Sequence, residues 1–445
     1  MTAYPFAHHP TVAIIGSGIA GLGAAYALKN HAQVTVFEQN STLGGHSHAI
    51  DVTLDNQTWP VDVGFLVFND RTYPQLIALF SELNVDIAES EMSFAVSLGP
   101  YDYEWCGSNQ LSKALAQPTN AFKPRFWRMI KDMMRFNKEA TALAQQANAA
   151  QALASLSLGE YLERGKYSQP FRHDYLLPMA AAIWSCPVAQ ILAFPMHTFV
   201  RFCDNHGLLQ VNNRPRWKTV RASSRQYVSK IVAALHASHG KVLTDCKVQA
   251  IKRDDQEVQL QVNGAWHSFD YVVLAGHSDQ SLQLLGDQAT LAETTALGAI
   301  AYQPNRTVLH TDTRLMPKRK RAWAAWNYLG KSSNDQRDQD LSVTYWSNCL
   351  QPLPFKTQVF VTLNPVIEPD PLTIISDLNF AHPVFNGAAI QAQSKIADLQ
   401  GLNRTFYAGA WLGYGFHEDG LRSGMAAADL LIARQADPLL KLRAA

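Results

Sequence analysis

The stretch TVAIIGSGIAGLGAAYALKNHAQVTVFEQN, beginning at Thr11, constrains the fold more than any other part of the chain. An apolar run from Val12 to Ile15 reads as a buried strand, Gly16, Gly18 and Gly21 as a tight turn, and the next residues as a helix to Leu28. A second apolar run, Val34 to Phe37, ends in Glu38, about twenty residues past the turn. This order gives G-x-G-x-x-G the context that separates a dinucleotide-binding unit from a chance match. Gly16 permits the turn, Gly18 lets a pyrophosphate approach the backbone, and Gly21 lets helix and strand pack closely. The first helical amides, at Ile19 and Ala20, then face the phosphates, and Glu38, with Gln39 beside it, is placed to bond a ribose diol. The competing reading is a glycine-rich turn in an ordinary α/β unit.

At 445 residues and 47% hydrophobic content the chain can bury a large core and hold two or three domains, at roughly 150 residues each. Lys plus Arg (38) nearly balance Asp plus Glu (37), and a net charge of +1 gives no ground to expect nucleic acid as a partner. Cys106, Cys186, Cys203, Cys246 and Cys349 are scattered without a CxxC pair, so they read as reduced and buried, and no metal site is expected. The opening MTAYPFAHHP lacks the apolar core of a signal peptide. The run YLLPMAAAIWSCPVAQILAFP is interrupted by Pro178, Ser185, Pro187, Gln190 and Pro195, which makes it a poor membrane-spanning helix. The expected compartment is the cytoplasm.

The segment STLGGHSHAID places a Gly44-Gly45 doublet after the second strand, followed by His46, Ser47 and His48. A second close approach of backbone to phosphate suits a long, extended dinucleotide. The doublet resembles the motif that follows the Rossmann unit in the flavin-containing amine oxidoreductase superfamily, and the resemblance implies FAD as the cofactor. In that superfamily an arginine usually follows the doublet; His46 stands there in this chain. His46 and His48 are read as hydrogen-bonding groups for phosphate or backbone, with covalent flavin attachment as the alternative.

Further blocks carry the same resemblance. SFDYVVLAGHS supplies a buried strand from Tyr271 to Ala275, opened by Asp270 and closed by Ala275 and Gly276, the last two expected at the cofactor. Before it, a helix over 224–238 leads to a strand whose Val248 is expected on the adenine side. RTFYAGAWLGYGFHEDGLRSGMAAADLLIARQ is similar to the C-terminal strand, glycine-rich turn and helix that close over the flavin. There Phe406 to Ala408 form the strand, Gly409 ends it, Asp419 caps a helix from Gly420 to Ala433, and amides of Asp419, Gly420 and Leu421 face the ring. Ala410-Trp411 occupies the place of the acid that usually binds the ribityl chain.

The resemblance implies an α/β architecture: a Rossmann-like FAD-binding domain of amine oxidase type, discontinuous over 1–75, 215–300 and 395–445, with an inserted α+β substrate domain over 76–214 and 301–394. Aromatic residues are abundant in the insert, among them Trp184, Trp326 and Tyr345, and point to a greasy substrate tunnel. KPRFWRMIKDMMRFNKEA places Arg125, Arg128, Lys131, Arg135 and Lys138 along a helical stripe beside Phe126, Met129 and Phe136. Such a helix can lie on an anionic bilayer, each cation contributing about 1 kcal/mol, or pack its apolar face on the core. MPKRKRAW, with Lys318, Arg319, Lys320 and Arg321, is a second basic patch, for phosphate headgroups or simply for water.

The superfamily's amine oxidases usually carry a lysine soon after the VVLA-type strand, whereas this chain has none between Lys252 and Lys318; Tyr302 occupies the corresponding place. TVLHTD, RAWAAWNYLG, VTLNP, FAHPVF and GAWLGYGFHEDGLRSG are together similar to a bacterial branch of FAD-dependent oxidoreductases often encoded beside cyclopropane-fatty-acyl-phospholipid synthase-like methyltransferases. The resemblance implies a lipid substrate and dehydrogenation of an acyl chain by hydride transfer to flavin N5, with His417 or Glu418 as base and Tyr302 as partner. The basic helix and loop suggest contact with the inner face of the membrane, and the resemblance implies a lipid methyltransferase partner. Amine oxidase, redox-neutral double-bond isomerase and flavin-bound accessory protein stay open, as does a purely structural role for His417.

Overall fold

Val12, Ala13 and Ile14 are fully buried, so the first strand, Thr11–Ile15, is apolar on both faces and belongs inside a parallel sheet covered by helices. The computed structural model describes residues 9–99, 102–107, 115–145, 156–184, 188–210, 214–330 and 342–436, and it places that strand at the centre of a five-stranded parallel sheet. The order is Lys241–Leu243, Gln33–Phe37, Thr11–Ile15, Tyr271–Leu274, Thr405–Tyr407. Asp270 sets the register, its carboxylate accepting the Thr11 backbone N–H at 2.7 Å and the Thr11 hydroxyl at 2.8 Å. The expectations on the first eight residues and on Ser185, Cys186 and Pro187 lie outside the described residues.

A second sheet of seven strands runs in the order Ile374–Pro383, Tyr302–His310, Phe360–Leu363, Ser342–Trp346, Trp326–Gly330, Phe94–Leu98, Tyr103–Gly107. Its core includes Val96, Trp105, Phe126, Phe136, Trp184 and Tyr328. The strands of the two sheets fall on opposite sides of the expected division, but two of the cuts run through helices. Pro74–Glu82 buries Leu76, Leu79 and Phe80 in the core of the parallel sheet, and Gly387–Leu399 packs Ala392 and Ile396 on that sheet's other face. Of the described cysteines, Cys106 and Cys203 are buried, while Cys246 and Cys349 are half-buried, against the expectation that all are interior. Among the described residues no helix is long and apolar enough to cross a membrane.

The edge of the parallel sheet is anchored by an ion pair with both side chains 2% exposed, Arg253 to Glu293 at 2.8 Å. Tyr407 donates to the same carboxylate at 2.5 Å. Burial alone would push Glu293 up, but Arg253, Tyr407 and the Thr290 amide hold it down at about 2. Its contribution is therefore complete above the ordinary glutamate value of about 4.3 and is lost as pH falls toward 2. Glu293→Gln leaves a buried guanidinium unpaired and is expected to lower stability by about 3–5 kcal/mol at pH 7, read from the denaturant midpoint. Unchanged midpoints at pH 7 would show the pair to be dispensable.

Candidate active site

Gly16 turns the chain at φ 104°, and a Cβ on Gly21 would come within 1.9 Å of the Gly16 carbonyl oxygen, so both glycines are demanded by the fold. Gly18 is different. Its φ is −65° and a Cβ there would meet no protein atom within 4 Å, so neither backbone nor packing needs a glycine. The helix Ile19–Leu28 that follows has no side-chain cap, which leaves its first N–H groups for an anion. The Gly44-Gly45 doublet closes on this turn, with Gly18 and Gly44 forming an isolated bridge.

These segments form one end of a cavity of about 630 Å³. Gly16, Gly18, Ile19, Ala20, Glu38 and Gln39 line it, with Gly44, Gly45 and His46 on the doublet and Val248, Ala275, Gly276 and Gly409 beyond. Glu38 is 7% exposed and does more than face a ribose: one oxygen accepts from the Ser17 N–H at 3.0 Å and hydroxyl at 2.6 Å, the other from Asn40 N–H and Nδ2, both at 2.9 Å. These four bonds fill the roughly four acceptor positions of a carboxylate, so Glu38 holds the turn itself, and a ribose hydroxyl there would share or replace one of them. Its Ser17 contact is a positioning role that spacing alone does not reveal.

The opposite end is walled by Met92, Ile183, Trp184, Trp326, Tyr345 and Leu363. Glu38 and Lys247 are the lining Asp, Glu, Lys or Arg residues among the described ones, and both belong to the glycine-turn end. Between the ends sit histidines. The His46 ring lies 5.3 Å from His382 and 4.9 Å from Phe380, and its Nε2 is buried without a hydrogen-bond partner among the described residues. Burial first, then His382, His277, His417 and His48, push the His46 imidazole down to about 3. An orphaned buried nitrogen on the cavity wall is a further mark of a ligand that the protein itself does not supply.

Of the three expected catalytic residues, the cavity takes two. His417 stacks on Phe65 at 3.9 Å, and its Nε2 is 2.6 Å from the Tyr227 hydroxyl, which in turn bonds Ser47. Burial pushes His417 down to about 3. Tyr302 opens its strand, stacks on His277 at 4.3 Å, and accepts the Ser278 N–H at 2.9 Å; burial raises its phenol. Glu418 does not line the cavity. Its carboxylate accepts the backbone N–H groups of Gln75 at 2.9 Å and Leu76 at 3.0 Å, capping the helix Pro74–Glu82, so its expected role as base is withdrawn.

The closing helix differs from its expected bounds for a related reason. It runs from His417 to Ala436, so Asp419 lies inside the first turn rather than at its cap. The Asp419 carboxylate reaches back to the Tyr414 and Phe416 N–H groups, at 2.9 and 3.1 Å, and pairs with Arg422 at 2.6 Å. Asp419, Gly420 and Leu421 are absent from the described lining, because this turn packs on the first helix: a Cβ on Gly420 would lie 2.7 Å from Ile19, and Leu421 abuts Gly23. Gly21 is likewise behind the turn. Trp411, where a ribityl-binding acid was expected, directs its indole N–H to the Gly276 carbonyl at 3.1 Å. Tyr227, His277 and His382 are not singled out by the sequence, although His277 is next to the expected Gly276 and His382 lies inside the FAHPVF block; Tyr227 has no such local signal.

A family model described as NAD(P)-binding Rossmann-like domain matches residues 14–83. No curated protein matches the chain. Solved structures cover it almost fully at low identity. Cyclohexylamine oxidase from Brevibacterium oxydans superposes with a TM-score of 0.69 and 15% identity, over 96% of this chain and 100% of that one. Putrescine oxidase bound to putrescine gives 0.68 and 15%, over 96% and 99%. The CLA-producing fatty acid isomerase from P. acnes gives 0.67 and 15%, again over 96% and 99%. The class this defines is the fold of the flavin amine oxidases, with a Rossmann-like unit over residues 14–83. The likeness of the whole chain to both amine- and fatty-acid-directed members leaves the substrate to the cavity wall.

Proposed function

We propose that the protein is an FAD-dependent oxidoreductase that dehydrogenates a fatty acyl chain or a related lipid. The observation that carries this reading is one cavity joining the glycine cradle to an aromatic and aliphatic wall without charge. With no carboxylate on this wall a protonated amine would have only aromatic faces to receive it, while an acyl chain needs only apolar surface. The residues fit FAD: the Ser17–Ala20 turn and the glycine doublet would hold the pyrophosphate, Glu38 and Gln39 the ribose end, and Val248 the adenine side. When bound, the flavin supplies a two-electron acceptor for a hydride from an acyl C–H.

The chain's own contribution is positioning, exclusion of water and proton handling. Trp184, Trp326 and Tyr345 align the chain and keep the site dry. His417 is neutral across the working range, held by Phe65 on its face and by Tyr227 at Nε2; with the proton on Nε2 donated to the Tyr227 oxygen, Nδ1 is the basic nitrogen left to meet a ligand. The burial that keeps it neutral also makes it a reluctant base, so it takes the neighbouring proton only as negative charge develops beside it. His417→Gln is expected to lower turnover about 10²–10⁴-fold with flavin content unchanged. Because its imidazole is pushed well below the ordinary 6.5, the wild-type rate should show no inflection from this group between about pH 5 and 8. Full turnover in the flavin-loaded variant would remove His417 from the reaction.

The anaerobic test is to mix flavin-loaded protein with phospholipids bearing unsaturated or methyl-branched chains, beside a panel of amines, and follow the visible absorbance. Bleaching by lipid with a new double bond in the product is expected; bleaching by amines alone would overturn the reading. A second reading, redox-neutral double-bond isomerisation, draws support from the likeness to the fatty acid isomerase. It predicts a shifted double bond without net bleaching.

A further inference from the structure

The helix Pro124–Gln145 does not use its cations as a single stripe. Arg125 turns inward to the buried Asp174 through two bonds of 2.6 and 2.7 Å, and Arg135 lies 3.9 Å over the Tyr167 ring while bonding the Gly165 carbonyl. Of the acids on this helix, Asp132 accepts the Ser168 N–H, and the exposed Glu139 is occupied by the Tyr161 and Tyr167 hydroxyls. Outward lie Trp127, Lys131, Met134 and Lys138, spaced four, three and four residues apart and therefore on one helical face, with Arg128 beside them and Glu139 following Lys138. Trp127 is 53% exposed, Met134 51%, and Phe122, just before the helix, 88%.

The basic loop joins this surface through Glu104. Asn120, in the turn Pro118–Phe122, donates to the Glu104 carbonyl at 2.7 Å, while the Glu104 carboxylate accepts the Lys318 N–H at 2.7 Å and Arg319 at 3.0 Å. Arg319 is thereby spent on Glu104 and Asp102, and Lys318, Lys320 and Arg321 are left exposed next to the turn that carries Phe122. Exposed aromatic and sulfur side chains interleaved with cations that form no close ion pair among the described residues, on two adjoining segments, match an interface with anionic headgroups above and acyl chains below.

We propose that this face, Phe122 to Lys138 with the Lys318–Arg321 loop, docks the protein on an anionic phospholipid bilayer without spanning it. Docking is independent of the reaction proposed above, since vesicle binding is read without turnover. The flavin-loaded full chain should sediment with phosphatidylglycerol-containing vesicles, not with pure phosphatidylcholine, and should be released by about 0.5 M salt. Each surface cation is worth about fivefold in partitioning, so Arg128→Glu/Lys131→Glu/Lys138→Glu should lower it at least about a hundredfold. The single variant Phe122→Ser, at the most exposed of the three apolar side chains, should weaken binding several-fold with an unchanged thermal midpoint, which separates docking from misfolding. Absence of wild-type binding to anionic vesicles, or equal binding by both variants, would overturn the proposal. So would self-association of the wild type lost in both variants without vesicle binding, which assigns the face to a second copy.

Discussion

Gly18→Val is expected to yield a folded protein that does not retain flavin. A Cβ at residue 18 meets no atom beyond its chain neighbours within 4 Å, and the backbone there is extended, so the fold loses about 1 kcal/mol from a poorer helix cap. The ligand, however, loses its approach to the uncapped N–H groups of the first helix. Two charge-assisted hydrogen bonds at about 1.5–3 kcal/mol each correspond to at least about a hundredfold in affinity. Visible absorbance per protein after gel filtration, together with the thermal midpoint of the apoprotein, separates the two effects. Normal flavin content in the valine variant would mean that the dinucleotide does not lie on this turn.

The same substitution at Gly424 should do the opposite. A Cβ there would lie 2.0 Å from the Ala20 carbonyl oxygen, 2.9 Å from its carbon and 3.1 Å from the Ala24 nitrogen, all backbone atoms of the first helix. Backbone cannot rotate aside as a side chain can, so the two helices must part and open the core around Leu22, Leu421 and Ala428. Gly424→Val is expected to cost more than about 4 kcal/mol, seen as loss of soluble protein or a collapse of the thermal midpoint. A soluble variant with a wild-type midpoint would show that the helices are not in close contact. The pair of variants divides the glycines into one that serves a ligand and one that serves packing.

Both glycines occur in glycine-rich runs, and local sequence does not tell their roles apart. What it does tell is periodic or short-range. The strand, turn and helix around Gly16 to Leu28 follow from apolar runs and breakers within a few residues, and the structure forms them with boundaries shifted by about one residue. Glu38 and the Gly44-Gly45 doublet are placed at the cavity by the same short spacing. The basic helix was also foreseen as a helix, but which of its cations reach water depended on Asp174 and Tyr167, far along the chain.

The C-terminal turn shows the limit most clearly. HEDG reads as three titratable groups in a row, and the tertiary structure gives each a different partner. His417 meets Tyr227, 190 residues away; Glu418 caps a helix at Gln75, 343 residues away; and Asp419 folds back on its own loop. By itself the sequence determined the Rossmann-like unit and its glycine cradle, because short-range sterics and hydrogen bonding specify them. Only the tertiary structure decided which acid is a cap, which histidine is buried neutral and which cations face outward, because burial and long-range pairing set a side chain's chemistry.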